Sequence, residues 1–561
     1  MTIVQQLLAS RIDQALAREP ADLVIKNARL LNTATGRIEG PTDIAIAGDT
    51  VVGTHGVFEG RQEIDALGRI VAPGFIDTHV HVESSMVVPA EFERGVLPCG
   101  TTTAICDPHE IANVVGLDGI RYFIEASRQL VMTLRVNLSS CVPATALETA
   151  GARLEAEDLA PLLSDPAVIG LAELMNFPGV IHKDPGMLAK LEQFFGEHID
   201  GHSPLLRASE LNAYLAVGVS TDHECTSLAE AEEKLAKGMH ILLREGSIAK
   251  NVTTLAPLVT DATWMRCAFC TDDRNPLEIR EEGHIDHAMR LAIRAGAPAI
   301  AVYRAATLGA ATAFGFHDRG IVAPGKRADL VILDDLDSVR VAEVIIGGRT
   351  ATAALAEPRE HPDPPGYGSV RRPPVEAVDL ALDGSRKGPV IGALPFSLLT
   401  DHLEAVPDED PEIATLCVLE RHGVNGNIGR GWVKGFGPLK GAIATSIGHD
   451  SHNLITVGDN PGDMAIAANH LIDIQGGAVV VANGKVLADL PLPVAGLMSD
   501  QPLAFIDERL IELRAKARAI GCTLQEPLLQ LAFLPLPVIP HLKLTDRGYV
   551  AAGPEGLVLL D

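Results

Sequence analysis

The stretch that decides the fold is "PGFIDTHVHVESS", Pro73 to Ser85. A glycine and a short apolar run lead into two histidines one residue apart. In a β-strand, residues i and i+2 point to the same face, so His79 and His81 present two imidazoles side by side. A lone His-x-His serves equally well as a strand end with two solvated rings, so the surroundings decide. From 73 to 320, short apolar segments alternate with helical patterns. The strand segments are "GFIDTHVH", "TTTAICDP", "LRVNLSSCV", "VIGLAELM", "HIDGHSP", "GVSTDHE", "HILLREG" and "MRCAFCTDD". Helical stretches such as "LAEAEEKLAKG" and "GHIDHAMRLAIRAG" lie between them. Alternation of this kind predicts parallel strands joined by crossover helices. Eight strands in roughly 250 residues match a closed (β/α)₈ barrel. An open doubly wound sheet would want a glycine-rich phosphate loop after its first strand, and none follows here.

On either side of the barrel segment the pattern changes. Residues 21–72 read as short strands, and a second patch of the same character, "GIVAPGKRADLVILDD" and "VAEVIIGGRT", fills 321–355. The two patches predict one small, discontinuous β-sandwich domain with the barrel inserted between its halves. Residues 1–20 read as an amphipathic N-terminal helix. Residues 356–378 are dense in proline and charge, as in a linker. Residues 379–561 mix "GAVVVANGKVLADL" with "DMAIAANHLIDI" and "DERLIELRAKARAIG", which predicts a further C-terminal α/β domain.

Composition bounds the function. At 561 residues and 47% hydrophobic, the chain can build several cores, and with only 4% aromatic residues these must lean on Ala, Leu, Val and Ile. A formal net charge of -27 repels phosphate backbones and anionic lipid, which argues against nucleic-acid and membrane partners and for a small neutral or weakly basic substrate. Arg11 and Asp13 interrupt the first helix, so it is no signal peptide. No apolar run reaches the roughly 18 residues of a membrane span. Eight cysteines without a secretion signal suggest reduced thiols. The expectation is a cytoplasmic protein.

Active sites of (β/α)₈ barrels lie at the C-terminal ends of the strands. Strand one ends in His79 and His81; strand four carries Glu173; strands five and six end in His202 and His223; strand eight ends in Asp272 and Asp273. Singly, each has an ordinary structural role open to it. Together they form a metal-site inventory. Imidazole and carboxylate suit Zn, Mn, Fe or Co. Four histidines and two carboxylates, counting one aspartate after strand eight, exceed the three protein ligands of a mononuclear catalytic zinc, so two metals with a shared carboxylate fit the count better.

At this point the chain resembles a known family. "PGFIDTHVH", the strand-four carboxylate, the single histidines after strands five and six and the aspartate after strand eight are similar to the amidohydrolase superfamily. "HVESS", "TTTAICDPHEIANV", "LREGS", "LPLPVAGLMS" and "GHDSHNLITVGDN" resemble bacterial adenine deaminases, over nearly the whole chain. The resemblance implies hydrolysis of adenine to hypoxanthine and ammonia by a metal-bound hydroxide, with two divalent ions, manganese or else iron. It implies His79, His81 and Asp272 on the first ion, His202 and His223 on the second, and Glu173 bridging where many relatives carry a carbamylated lysine. Asp272 would also shuttle the proton from water to departing ammonia. A carboxyl must protonate N1, and Glu83 is one candidate. A homodimer or larger assembly is implied as well.

His109, Glu110, Glu224, Arg244 and Glu245 stand near strand ends as candidates for touching the substrate, with a loop cap or ion pair as the equal alternative for each. His449, Asp450 and His452 in "GHDSH" either fold over the barrel mouth or lie at a subunit interface. "CAFC", Cys267 to Cys270, has zinc-knuckle spacing but no second cysteine pair, and reads as buried small residues. The zinc nucleobase deaminases of another fold use His-x-Glu with Pro-Cys-x-x-Cys, and Arg266 stands where that proline should be. Two competing functions remain. One is a different binuclear amidohydrolase acting on a cyclic amide or an N-acetyl sugar. The other is a non-enzymatic scaffold, which should lack several of the ligand positions that are filled here.

Overall fold

The computed structural model describes residues 2–553 and 556–560. Its centre is a parallel (β/α)₈ barrel. Strands one to five (Phe75–Val80, Thr101–Cys106, Thr133–Leu138, Val168–Leu174 and His198–Gly201) pair in sequence order. Strands six to eight (Thr221–Asp222, His240–Arg244 and Cys267–Cys270) form a second parallel set. Backbone bonds close the ring at both seams. Ser220 N–H donates to Ile199 O at 3.1 Å, Asp272 N–H to His79 O at 3.0 Å, and His81 N–H to Asp272 O at 3.1 Å. Thus the seam between strands eight and one is stitched by the same residues whose side chains converge at the mouth.

One end of the barrel is filled with apolar side chains: Ile76, Ile105, Leu242, Ala268 and Cys270 pack against Ala310, Ala311 and Phe314. "CAFC" is therefore core. Cys267 and Cys270 are fully buried, and all eight cysteines are free thiols. The interior is small-residue-rich because few aromatics are available to fill it, which suits the taper of a closed barrel.

The segments flanking the barrel share one eight-stranded sheet. Ile70–Pro73, the last strand before the barrel, runs antiparallel to Leu330–Leu333, the first long strand after it, with Leu330 opposite Pro73. Leu23, Ile25, Leu30, Ile44, Ile46, Leu330 and Ile332 form the core of that sheet. The N-terminal helix Ile3–Ala15 starts with a Thr2–Gln5 capping box and leaves Ile3, Val4 and Ile12 exposed. No helix among the described residues is long and apolar enough to cross a membrane.

A second eight-stranded sheet forms the C-terminal unit. Helix Pro461–Asp473 covers one face, burying Met464, Ala467, Ala468 and Leu471 against Leu419, Ala442 and Val479. What matters for the site is the connection between strands Ala442–Thr445 and Leu454–Gly458. It carries "GHDSHN" onto the barrel mouth. There, Ser451 Oγ donates to Glu148 Oε2 at 2.7 Å, Asn453 Nδ2 donates to Thr149 O at 2.9 Å, and Asp546 accepts from Thr149 N–H at 2.9 Å.

Candidate active site

Both histidines of the opening motif are locked from behind. His79, at the end of strand one, directs Nδ1 to Asp200 Oδ2 at 3.1 Å. His81 directs Nδ1 to the Asp107 carbonyl at 3.0 Å. The remaining nitrogens therefore face one another, Nε2 to Nε2 at 3.3 Å. Asp272 Oδ1 stands 3.4 Å from His79 Nε2 and 3.2 Å from His81 Nε2. Its backbone is held in the left-handed region, at φ 58°, just past strand eight.

Glu173 divides its two oxygens. Oε1 lies 3.3 Å from His81 Nε2 and 3.8 Å from His79 Nε2. Oε2 lies 2.6 Å from His202 Nδ1 and 3.3 Å from His223 Nε2. His223 stacks on His79 with ring centroids 4.1 Å apart, and neither of its buried nitrogens has a hydrogen-bond partner.

These residues fit divalent metal. Donors bound at about 2.0–2.1 Å around one cation sit roughly 3 to 3.4 Å from each other. His79, His81, Asp272 and the Glu173–His81 and Glu173–His223 contacts keep that spacing, with Glu173 at 3.8 Å from His79 and 2.6 Å from His202 outside it. Orphaned imidazole nitrogens in a dry site are costly unless something coordinates them. Carboxylate and carbonyl partners behind His79 and His81 are what metal-binding histidines use to fix their tautomer. Burial opposes charge on Glu173, but His202, His223 and His81 outweigh it and hold the carboxyl well below its usual range. Asp272 is likewise opposed by burial and held well below its usual range, chiefly by Arg244.

Around this centre a small cavity of about 30 Å³ opens at the strand ends, lined by His81, His109, Glu110, Glu173, His202, His223, Glu224, Arg244, Asp272 and Asp273 from the barrel. The C-terminal unit supplies Leu398, His449, Asp450, Phe533, Leu536 and Ile539. His449 lies flat against Phe533, centroids 4.1 Å apart. A larger cavity of about 310 Å³ adjoins, sharing Met175 and His202.

Residues 70–351 match the amidohydrolase family model, and residues 394–553 match the model of the adenine deaminase C-terminal domain. A curated adenine deaminase of Cereibacter sphaeroides is 56% identical over 557 residues, covering 98% of each chain. Another, of Methylobacterium nodulans, is 56% identical over 554 residues, covering 97% of this chain and 98% of its own. The chain belongs to the adenine deaminase family. Among solved structures, an enamidase described as an amidohydrolase superfamily member aligns with 58% of this chain and 95% of its own, at 17% identity and a TM-score of 0.45.

Within this adenine deaminase family member, the outer candidates separate. His109 lines the cavity, with Nδ1 2.8 Å from Asp107 Oδ2 and 3.4 Å from Glu173 Oε1. Glu110 lies beneath the C-terminal loop, 2.9 Å from His449 Nδ1 and in close contact with His452 Nε2. Arg244 is buried and already engaged. It contacts Glu224 through both fork nitrogens and donates to Asp272 Oδ2 at 2.9 Å, so both Glu224 and Arg244 are bound to the protein itself.

Two candidates do not reach the cavity. Glu83 sits in the short turn Val82–Ser85 and accepts from Ile111 N–H at 3.1 Å. Glu245 is buried behind strand seven, where it accepts from Val252 N–H at 3.4 Å, and burial raises its carboxyl to about 7. "GHDSH" folds over the barrel mouth of its own chain. The sequence reading missed Asp107 and Asp200, the partners behind His109 and His79. Strand periodicity carried a signal for Asp200, two residues before His202 on the same face.

Proposed function

We propose that the chain hydrolyses adenine to hypoxanthine and ammonia at a binuclear divalent-metal centre, loaded with manganese or with iron. The observation that carries this is Glu173, whose two oxygens face separate histidine pairs from three other strand ends. His79, His81 and Asp272 would hold one ion and His202 and His223 the other, with Glu173 between them. Divalent ions bound there supply an acidified water as nucleophile at neutral pH.

The chain's own residues do the rest. The mouth, closed by Phe533, Leu536 and Ile539 of the C-terminal unit, favours a flat, largely apolar ring over a hydrated sugar. Asp272 takes the proton from the water and returns it to the exocyclic nitrogen as ammonia leaves. A turnover near normal in Asp272→Asn with full metal content would remove that role. A sugar-phosphate substrate would want a free cation at the mouth. Arg244 is the lysine or arginine lining the cavity among the described residues, and its fork is committed to Glu224 and Asp272. The assembly we expect is a homodimer or larger, working in the cytoplasm.

The test is ammonia release by purified protein, metal-stripped and then reloaded with manganese. Adenine is the substrate, with adenosine, cytosine and N-acetylglucosamine 6-phosphate alongside. Manganese-dependent release from adenine alone is expected. Turnover of another compound with adenine inert refutes the substrate and leaves the centre standing.

A further inference from the structure

Six carboxyl groups line the cavity, and five already have partners. Glu173 faces the histidine pairs, and Asp272 and Glu224 share Arg244. Asp273 accepts from Ser84 Oγ, and Glu110, whose oxygens make no aligned hydrogen bond, is held by ion-pair contact with His449 and His452. Asp450 differs. It is 2% exposed and its Oδ2 has no hydrogen-bond partner. Its Oδ1 stands 3.9 Å from His109 Nε2 and 3.7 Å from His449 Nδ1, beyond hydrogen-bond reach of either. A buried polar oxygen left unpaired is costly, more so if charged, unless a group from outside the chain meets it.

The segment around Asp450 is fixed firmly enough to aim it. His452 Nδ1 accepts from Gly448 N–H at 3.3 Å, which leaves the ring proton on Nε2, facing Glu110. Ser451 Oγ is tied to Glu148 at 2.7 Å and Asn453 Nδ2 to the Thr149 carbonyl at 2.9 Å. His449 before Asp450, on Glu110, and Ser451, His452 and Asn453 after it are thus anchored to the barrel, while its own side chain is left free at the cavity wall. Glu83, the nearer carboxyl in sequence to the metal ligands, accepts from the Ile111 backbone with Oε1, and its unpartnered Oε2 does not line the cavity.

We propose that Asp450, contributed by the C-terminal unit, is a catalytic residue whose carboxyl touches the ring nitrogen next to the reacting carbon. The proposal rests on the adenine reading above. In the step it implies, Asp450 gives its proton to N1 as the water oxygen bonds to C6, drawing the C6–N1 π electrons onto nitrogen. The C6–N6 bond then breaks, and N6 departs as ammonia with the proton held by Asp272. As C6=O forms, the remaining hydroxyl proton returns to the Asp450 carboxylate. N1 keeps its proton in hypoxanthine, so the enzyme ends as it began.

Asp450→Asn and Asp450→Glu are compared with the parent as manganese-loaded full-length proteins, with metal content and melting temperature measured on the same samples. Asp450→Asn should lower kcat for adenine by about 10²- to 10⁴-fold, with KM within threefold and metal content unchanged. Asp450→Glu should recover at least tenfold of that loss. An amide variant within threefold of the parent in kcat overturns the proposal, as do equal losses in both variants or a loss that follows missing metal. Should Asp450→Asn fail to fold, Asp450→Ala with added formate reads the same role. Formate-dependent recovery of at least tenfold supports it, and a folded, loaded variant that formate does not rescue overturns it. A fully loaded parent that leaves adenine intact overturns the adenine reading and this role together; an active parent with an indifferent Asp450→Asn overturns only the latter.

Discussion

Replacing Arg244 with methionine separates two ways of reading the active-site wall. Arg244 is 2% exposed, contacts Glu224 with both fork nitrogens and holds Asp272 Oδ2 at 2.9 Å. Methionine keeps the stem and deletes the charge, leaving two buried carboxylates without their shared cation. Removing one partner of a buried ion pair costs about 3–5 kcal/mol. At roughly 2–4 °C per kcal/mol for a domain of this size, the metal-stripped variant should melt about 10 °C lower. Metal should reverse much of this, because cations neutralise Asp272 and leave only Glu224 uncompensated. The sign of the metal affinity is the sharper readout. Arg244 competes with metal for the charge on Asp272, so Arg244→Met should bind manganese more tightly, by about tenfold for each 1.4 kcal/mol of relieved competition. Urea melts with and without metal, and manganese titration against a chelating dye, measure both quantities. A stripped variant within about 1 kcal/mol of the parent, or one that binds manganese more weakly, would refute the reasoning.

Asp200→Asn removes the carboxylate behind His79 Nδ1 at 3.1 Å and should weaken metal binding about 10- to 100-fold with little change in melting of the stripped protein; unchanged affinity in the dye titration contradicts it. Lys234 is fully buried between Asp222 at 2.9 Å and Glu230 at 2.8 Å, so Lys234→Met should destabilise the barrel by about 3–5 kcal/mol, read by urea unfolding. Lys543 donates to the Leu398 and Phe533 carbonyls, and burial pushes its ammonium down from 10.5 to about 7. Between those values the unfolded chain binds a proton that the folded one does not, so stability should rise with pH from about 7 to 10.5. The slope is at most about 1.36 kcal/mol per pH unit and should vanish in Lys543→Met. Unfolding at pH 7 and pH 9 gives the two slopes, and equal slopes would remove the claim.

How far the site could be read from the chain depended on how local each contact is. His79 and His81 obey strand periodicity, and the strand-end rule of parallel barrels located Glu173, His202, His223 and Asp272 at one mouth. Closeness in sequence to His81 misled at Glu83. It is two residues past His81, but the strand ends at Val80 and the chain turns through Val82–Ser85, which carries Glu83 toward Ile111 and off the barrel axis. Glu245 failed for the complementary reason. It follows Arg244, whose side chain points into the mouth, and adjacent residues of an extended chain face opposite ways. Arg244 was visible as a cation at a strand end, but its commitment to Glu224 and Asp272 depends on two other strand ends and has no local pattern.

The C-terminal unit lay beyond that kind of reasoning. Nothing periodic links "GHDSH" to a barrel more than 170 residues upstream in sequence, between Asp272 and His449. Its placement follows from anchors such as Asp546 on Thr149 and Ser451 on Glu148, which pair residues from opposite halves of the chain. The result is a division of labour with a physical basis. The six residues proposed to hold metal lie in the barrel, where strand ends can hold donors at fixed spacing, and the apolar cover and the unpartnered Asp450 carboxyl come from outside it. A mouth lined only by the barrel's ligands would leave the reacting water and the substrate in bulk solvent, where each electrostatic contact is weak. Closing it with Phe533, Leu536 and Ile539 excludes that water, and placing Asp450 in the same cover couples water exclusion to substrate contact. Metal content and turnover should therefore respond separately to change. Substitutions behind His79 act on metal affinity, whereas those at the anchored loop act on the chemistry of a centre that is already loaded.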